Sequence, residues 1–329
     1  MAIRMRLAAK DVLLQTTRIR SSIDSCTCSF NTNFYGKKLF RYDSKLSALR
    51  RCFSILSSLN CSDPNVVYSR RETLTHFGFE DVTESEKKQK VYDVFANVAE
   101  SYDLMNDVMS GGLHRLWKDY FVRKCNPLPG KRLLDVAGGT GDIAFRYLDG
   151  VLSRLKKEDV DLTSLSKDIV VCDINKSMLE VGRRRAQLLG IEKALSFAVA
   201  DAEKLPFEDD AFDLYTIAFG IRNVTHIDKV LEEAHRVLRP GGSFMCLEFS
   251  DVSNPFIKSI YDSYSFQIIP VMGQVIAQDW NSYKYLVESI RQFPDQDTFS
   301  SMVEDAGFSS VTYENLLFGV VSIHRGFKI

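Results

Sequence analysis

The sequence of 329 residues lacks features that define whole classes of protein. Its seven cysteines include no Cys-x-x-Cys pair, which argues against a zinc-binding module or a disulfide scaffold. It contains no charge-free apolar stretch of about 18 residues, so it indicates no transmembrane helix. Eight prolines and 18 glycines are too few for a collagen-like or low-complexity chain. The remaining composition, 45% hydrophobic and 26% charged, is that of an ordinary globular protein.

Acidic residues are scarce in the first 60 positions. That segment holds 11 Lys and Arg residues but only three acids, so its net charge is +8 and the rest of the chain carries −9. A leader that is rich in Arg and Ser and poor in acids is typical of a mitochondrial transit peptide. We predict a transit peptide over 1–53 and a polar linker over 54–84. A basic arm that binds nucleic acid or anionic lipid is the alternative, but the acidic remainder offers no surface for nucleic acid.

The rest of the chain shows regular helix and strand patterns. Apolar residues at three- and four-residue spacing predict a helical cap over 85–130. Within 131–329, strand-like runs alternate with helical patterns, which predicts an α/β fold with a mostly parallel, doubly wound sheet. Two more strand-like runs near the C-terminus predict an antiparallel edge hairpin. A charged insertion at 150–167 and an aromatic stretch at 254–296 interrupt this alternation.

The strongest chemical motif is LLDVAGGTGD at 133–142, which joins a predicted strand to a predicted helix. Gly139 and Gly141 remove side chains where a ligand approaches the backbone. The start of the following helix directs amide N–H groups at an anionic group. The spacing Gly-x-Gly-x-x-Ala also fits a dinucleotide fingerprint, so the loop alone leaves two ligand classes open.

Three acids favour S-adenosylmethionine over a dinucleotide. Asp135 lies inside the first predicted strand. Asp173 ends the second strand, where a carboxylate can accept both ribose hydroxyls. Asp201, followed by Ala202, ends the third strand, where it can hold the adenine amino group. This set is typical of class I methyltransferases, although Asp173 and Asp201 also have the residue type of simple helix caps.

Two longer motifs resemble the signatures of UbiE-type quinone C-methyltransferases. YDLMNDVMS at 102–110, followed by His114 and Trp117, is similar to the first signature. RVLRPGG at 236–242 is similar to the second, and FGIRNV at 219–224 matches the segment between them. The two signatures occur in the order that the family shows.

The resemblance covers about 85–329, and the transit-like leader makes the chain most similar to the mitochondrial members. It implies a class I S-adenosylmethionine-dependent methyltransferase with a Rossmann-like sheet of seven strands. It also implies that S-adenosylmethionine contacts the positions of Thr140, Asp173, Asp201 and Ala202. The reaction needs no metal, and we expect none.

Methylation of a ring carbon requires the neighbouring hydroxyl to ionise, and a quinol hydroxyl has a pKa of about 10. The candidate catalytic residues are Arg222, His114 and Tyr102. Arg222 stays protonated, so we expect it to stabilise a phenolate rather than to remove a proton. His114 has the pKa of a general base. Tyr102 shares a helix face with Asn106 and can line the pocket. An ion pair, a hydrogen bond and helix packing are the respective structural alternatives.

The resemblance implies a polyprenyl benzoquinol as substrate, with the aromatic segment 254–296 as a lid and a channel for its tail. It also implies partners and a location: a multi-enzyme complex of ubiquinone biosynthesis, a homodimer, and the matrix face of the mitochondrial inner membrane. Three alternatives stay open, namely methylation of demethylmenaquinol, an NAD(P)-binding oxidoreductase and a non-catalytic scaffold subunit.

Overall fold

The computed structural model describes residues 73–99, 102–155, 162–165 and 168–329. The predicted transit peptide at 1–53 lies outside these ranges. Within them, no helix combines the length and the apolar character needed to cross a bilayer.

The last part of the predicted linker 54–84 forms a β-hairpin instead, so the structure corrects that boundary. Strand β1, Leu74–Phe77, pairs antiparallel with β2, Glu80–Thr83. Gly78 adopts a left-handed φ of +58° at the two-residue turn, a conformation that glycine reaches without strain. The hairpin is too short and too mixed in polarity to show a strand period in the sequence.

Three helices follow, within the segment predicted as a helical cap. They are α1 (Glu84–Val98), α2 (Tyr102–Ser110) and α3 (Leu113–Cys125). Thr83 begins α1 with a capping box, because its hydroxyl accepts the Glu86 N–H while the Glu86 carboxylate accepts the Thr83 N–H at 2.8 Å. This reciprocal pair of hydrogen bonds joins the hairpin to the helix and satisfies two backbone donors.

The central sheet has seven strands in the order β5-β4-β3-β6-β7-β9-β8. The first five in this order are parallel, and β9 pairs antiparallel with both β7 and β8. The predictions of a mostly parallel sheet and of an antiparallel edge hairpin are therefore confirmed. The strands are β3 (Leu133–Val136), β4 (Ile169–Asp173), β5 (Ser196–Val199), β6 (Phe212–Ala218), β7 (Leu238–Phe249), β8 (Ser309–Leu316) and β9 (Val321–Phe327).

Helices cover both faces of the sheet. Successive strand residues point to opposite faces, so Leu133 joins a core cluster with Ile143, and Leu134 joins a separate cluster with Val230. Burial on both faces explains why the strands are continuous apolar runs. The helices after β3 are α4 (Asp142–Leu152), α5 (Leu162–Leu165), α6 (Lys176–Leu188), α7 (Ile227–Val237), α8 (Pro255–Gln267), α9 (Ile269–Met272), α10 (Trp280–Gln292) and α11 (Gln296–Asp305).

The two segments that interrupt the strand–helix alternation have different structures. The charged insertion 150–167 begins inside α4 and includes the short α5. The aromatic segment 254–296 forms α8 to α10 with a π-turn at Gly273–Ala277. Tyr283 of α10 packs with Met105 of α2 in a third apolar cluster. The aromatic segment therefore faces the N-terminal helices across the end of the sheet.

The sheet places the site at its own centre. β3 lies between β4 and β6. From β3 the strand order runs in one direction through β4 and β5 and in the opposite direction through β6 and β7. Such a switch in strand order opens a crevice at the carboxyl ends of the strands, where α/β proteins bind their ligands.

Candidate active site

Two adjoining cavities lie at the carboxyl ends of the parallel strands. The first is lined by the glycine loop and by the ends of β4, β5 and β6. The second has a volume of about 430 Å³ and is lined mainly by α2, α3 and the aromatic segment. Five residues, which we call the shared wall, line both cavities: Phe95, Tyr102, Lys118, Phe219 and Asn223.

Asp173 holds the glycine loop against the first cavity. Its Oδ2 accepts the Gly139 N–H at 2.9 Å, and its Oδ1 accepts the Asn175 N–H at 2.7 Å. Burial raises the pKa of Asp173 to about 6, while these backbone donors oppose the rise. The carboxylate retains further acceptor capacity toward the cavity that it lines.

Asp135 and Thr140 also line the first cavity. Asp135 is fully buried, its Oδ1 accepts the Thr216 hydroxyl at 2.8 Å, and burial raises its pKa to about 7. Thr140 Oγ1 accepts a hydrogen bond from Arg185 Nη1 at 2.9 Å, so the Thr140 O–H is left to donate elsewhere.

Asp201 and Ala202 lie at the far side of the same cavity. Asp201 Oδ2 is 3.0 Å from Lys88 Nζ on α1, and its Oδ1 accepts the Glu203 N–H at 3.0 Å. Lys88 and Phe95 of α1 line this cavity as well. Helix α1 therefore forms one wall of the first cavity, which we call its roof. The Lys88–Asp201 ion pair joins α1 to the opposite side of the cavity.

Gly141 is the one predicted cofactor residue that the structure does not bring to the cavity wall. It caps the N-terminus of α4 with a left-handed φ of 83°, and an added Cβ would lie 2.8 Å from the Phe145 ring. Its side chain is absent because of the backbone turn and the close aromatic ring. Ala137, which also lines the cavity, has a φ of +50° and keeps the turn without glycine.

Arg222 lines the second cavity from the turn Ile221–Asn223 that follows β6. Its Nη1 donates to Glu248 Oε1 and to the Phe219 carbonyl oxygen, both at 2.7 Å. The guanidinium also packs over the Phe249 ring, 5.4 Å from its centroid. Both charged side chains are buried, and burial raises the pKa of Glu248. The ion pair fixes a cation in the cavity wall.

His114 lines the second cavity from α3. Its Nδ1 is 2.9 Å from the Ser110 hydroxyl, and its Nε2 is 3.7 Å from Asp107 Oδ1. Burial and the neighbouring Lys118 lower the pKa of His114, so the imidazole is neutral at pH 7. A neutral imidazole in this wall is able to accept a proton.

Comparison with known proteins assigns the chain to a family. A model of the ubiE/COQ5 methyltransferase family matches residues 83–328. The chain belongs to this family. The family assignment made from the two signatures is thus confirmed, as is the prediction that the chain is a methyltransferase. Every predicted site residue lies within the matched range.

Curated relatives cover most of the chain. A human protein named 2-methoxy-6-polyprenyl-1,4-benzoquinol methylase, mitochondrial, is 56% identical over 281 residues, which is 79% of this chain and 86% of that protein. A Rattus norvegicus protein of the same name is 54% identical over 310 residues, 87% of this chain and 93% of that protein.

A solved structure confirms the fold class. An S-adenosylmethionine-dependent methyltransferase from Thermotoga maritima, described as a possible histamine N-methyltransferase, superposes with a TM-score of 0.50 at 19% identity. It covers 73% of this chain and 100% of that chain. The ubiE/COQ5 family and this fold together imply S-adenosylmethionine as the methyl donor.

In this ubiE/COQ5 family member, Tyr102 lines both cavities as part of the shared wall, whereas the sequence predicted only that it lines a pocket. The sequence reasoning missed Lys118, which is buried one turn after His114 and lies 2.8 Å from Asp142 Oδ2. The spacing of four residues between His114 and Lys118 was a usable indication, because it places both on one helix face.

Asn223 and Tyr285 were also missed, and no sequence pattern joins them. They are 62 positions apart, and the Tyr285 hydroxyl lies 3.0 Å from Asn223 Oδ1. Only the packing of α10 against the turn after β6 brings the two side chains together.

Proposed function

We propose that this protein transfers a methyl group from S-adenosylmethionine to a ring carbon of 2-methoxy-6-polyprenyl-1,4-benzoquinol in ubiquinone biosynthesis. The observation that carries the proposal is the shared wall. A cavity built on the glycine loop and the strand-end carboxylates and a larger, more apolar cavity meet at five common residues. A methyl donor in the first and a quinol ring in the second would therefore lie next to each other. The names of the relatives supply the substrate.

The residues of the first cavity fit S-adenosylmethionine. Gly139 presents bare backbone beside Asp173, where an added Cβ would lie 3.9 Å from Asp173 Oδ2 and 3.0 Å from Met178 Cε. Asp173 would accept the ribose hydroxyls, Asp201 with Ala202 would hold the adenine, and Thr140 would donate its O–H. When bound, S-adenosylmethionine supplies an electrophilic methyl group on a sulfonium sulfur.

The second cavity fits a ring that carries a long prenyl chain. Its apolar lining comes from α2, α9 and α10 and includes Met105, Met109, Ile269, Leu286 and Ile290. An apolar cavity of this kind excludes water and binds hydrocarbon by burial of surface. We infer that the aromatic segment 254–296 holds the start of the tail.

Arg222 acts on the quinol hydroxyl as a fixed cation. Glu248 holds the guanidinium in one place, so the positive charge needs no reorganisation when negative charge develops on the quinol oxygen. A cation beside a phenol favours its ionised form and lowers its pKa. The ionised oxygen then makes the neighbouring ring carbon nucleophilic.

His114 accepts the proton. The quinol hydroxyl loses a proton when it ionises and regains one after the ring hydrogen leaves as a proton, so each methyl transfer releases one proton net in an apolar cavity. His114 is neutral at pH 7 and lines that cavity, which suits it for this role. Tyr102 would contact the ring from the shared wall.

The test is methyl transfer by the full-length chain. The protein is incubated with S-adenosylmethionine that carries a labelled methyl group and a short-tailed 2-methoxy-6-prenyl-1,4-benzoquinone, with and without a chemical reductant. We expect ring-methylated product by mass spectrometry only under reduction, because the quinol and not the quinone has an ionisable hydroxyl. Transfer to demethylmenaquinol but not to this quinol would assign the alternative substrate.

We infer that the protein works at the matrix face of the mitochondrial inner membrane, as a homodimer within a complex of ubiquinone biosynthesis. The relatives are named mitochondrial. A polyprenyl quinol resides in lipid, so an enzyme that takes it up must reach the bilayer surface. Apolar side chains of the aromatic segment are exposed to solvent, among them Phe256 and Val275. These side chains support a peripheral contact with lipid.

A further inference from the structure

The orientation of the Asn223 side chain, which belongs to the shared wall, is set by a hydrogen bond from Tyr285. Asn223 lines both cavities, and its carboxamide oxygen Oδ1 lies 3.0 Å from the Tyr285 hydroxyl. Both side chains are buried. The tyrosine O–H donates and the carboxamide oxygen accepts, so one end of the carboxamide is engaged by the protein.

The other end of the carboxamide is available to a ligand. Among the described residues, no acceptor lies within hydrogen-bond distance of Asn223 Nδ2. This nitrogen is not one of the buried polar atoms that lack both solvent and a partner. It therefore retains contact with open space, and the space beside Asn223 is that of the two cavities. The NH2 group can donate there.

Tyr285 is itself held rigidly. Its ring stacks on Phe77 of the N-terminal hairpin with centroids 4.0 Å apart and an interplanar angle of 7°. Burial raises the pKa of Tyr285, so its hydroxyl stays protonated and keeps a hydrogen to donate to Asn223 Oδ1. This hydrogen bond favours the orientation in which the carboxamide oxygen faces Tyr285 and the NH2 group faces the cavities.

We propose that Tyr285 is a positioning residue that aims the Asn223 NH2 group at the quinol oxygen that ionises during methylation. This inference rests on the proposed function. Asn223 and Arg222 are consecutive, so the turn after β6 presents a neutral donor beside a cationic one. Two donors that converge on one developing oxyanion stabilise it more than a single cation does.

The test compares Tyr285→Phe with the parent chain. The variant removes one hydroxyl and keeps the ring that stacks on Phe77. We expect kcat to fall by roughly tenfold or more, since a misaligned oxyanion donor loses most of its effect. The KM for S-adenosylmethionine should stay within about twofold. Since the bound quinol then ionises less readily, the inflection in kcat against pH should move about one unit higher for a tenfold effect.

Asn223→Ala and the double variant separate positioning from packing. If Tyr285 acts through Asn223, the double variant loses no more activity than Asn223→Ala alone. Tyr313→Phe is the matched control, because it also removes one tyrosine hydroxyl, which bonds Asp297 at the exposed edge of the sheet. It should retain full activity with an unchanged pH profile.

Four outcomes overturn the inference. Additive losses in the double variant would show that Tyr285 acts independently of Asn223. A fall in kcat by the same factor at every pH would show that the hydroxyl merely stabilises the fold. If the parent chain methylates no quinol, the proposed function fails and this inference fails with it. If the parent is active and Tyr285→Phe is unaltered, only this inference fails.

Discussion

At the scale of single residues, Arg222 offers the most direct test of the proposed chemistry. Its guanidinium is buried against Glu248 and Phe249 in the wall of the apolar cavity. Arg222→Ala should lower kcat by about 100-fold or more, as for other losses of an oxyanion donor. The dissociation constant for S-adenosylmethionine, measured by calorimetry, should change little. Arg325→Ala removes an exposed arginine of β9 and should leave both constants unchanged; equal effects of the two variants would contradict the role of Arg222.

We predict that Asp173 makes cofactor binding depend on pH. Its pKa in the folded protein is about 6, so the carboxylate is ionised above that value and protonated below it. An ionised carboxylate is the better acceptor for ribose hydroxyls. Affinity for S-adenosylmethionine should therefore weaken as pH falls through 6, in addition to any change that the titration of Asp135 causes near pH 7.

Calorimetry at several pH values checks this expectation. Asp173→Asn should bind S-adenosylmethionine more weakly at pH 7.5, by about tenfold, because a charge-assisted hydrogen bond is lost. Its affinity should lose the pH response centred near 6, while any response from Asp135 near pH 7 remains. A parent chain whose affinity does not change through pH 6 would exclude Asp173 as the titrating contact.

At the scale of elements, the short N-terminal hairpin stabilises the fold through its contacts with α10. It contributes Phe77 to the stack on Tyr285, and the Phe79 N–H bonds Glu288 of α10 at 3.3 Å. Phe77→Ala should lower the free energy of unfolding by about 1–3 kcal/mol, since a half-buried aromatic pair is lost. Phe79→Ala is the control in the same hairpin, because that side chain is exposed and should cost under about 1 kcal/mol.

Denaturant unfolding of both variants gives the comparison. Similar losses in the two would mean that the hairpin contributes as a whole and that the Phe77–Tyr285 stack has no special weight. A larger loss in Phe77→Ala, accompanied by slower methyl transfer, would show that the hairpin supports the catalytic wall.

The sheet was predictable and the hairpin was not, for a physical reason. Strands β3, β4 and β6 are buried on both faces, so most of their residues are apolar; Asp173 ends β4, and Gly139 lies in the loop after β3. The hairpin is mostly accessible to solvent, so its residues carry no periodic pattern. Its position depends on contacts with α10, about 200 positions away, which no local pattern records.

The site was predictable in its local parts only. The glycine loop and the strand-end acids follow from the geometry of a parallel sheet. Lys118, Asn223 and Tyr285 belong to three elements that meet only in the folded protein. Gly141 stays a prediction as a cofactor residue: it lies outside the cavity lining, and a glycine required by backbone conformation has the same sequence signature as one required by a ligand.

For the molecule as a whole, the aromatic segment should contact lipid. Phe256 and Val275 expose 75% and 74% of their surface. Replacing both with Ser should reduce flotation of the full-length chain with phosphatidylcholine vesicles. Neutral vesicles are chosen because the basic leader would bind anionic lipid by itself. Each buried apolar side chain contributes about 1.5–3 kcal/mol, so a loss of at least tenfold in binding is expected.

Leu188→Ser is the control for this experiment. Leu188 is 88% exposed at the end of α6, far along the chain from the aromatic segment. If exposed apolar area alone determined binding to vesicles, Leu188→Ser would reduce flotation as well; we expect it to leave flotation unchanged. Unchanged flotation of the Phe256→Ser, Val275→Ser variant would place the lipid contact elsewhere.

The roof that α1 forms over the first cavity has a kinetic consequence. Lys88 is ion-paired with Asp201, and Phe95 faces both ligands' cavities. We predict that α1 slows the departure of a spent donor from this cavity, while a quinol anchored by its tail stays behind. The rate at which α1 moves away from the cavity would then limit turnover. Weakening the Lys88–Asp201 ion pair would speed the exchange of the donor and leave the rate of methyl transfer itself unchanged.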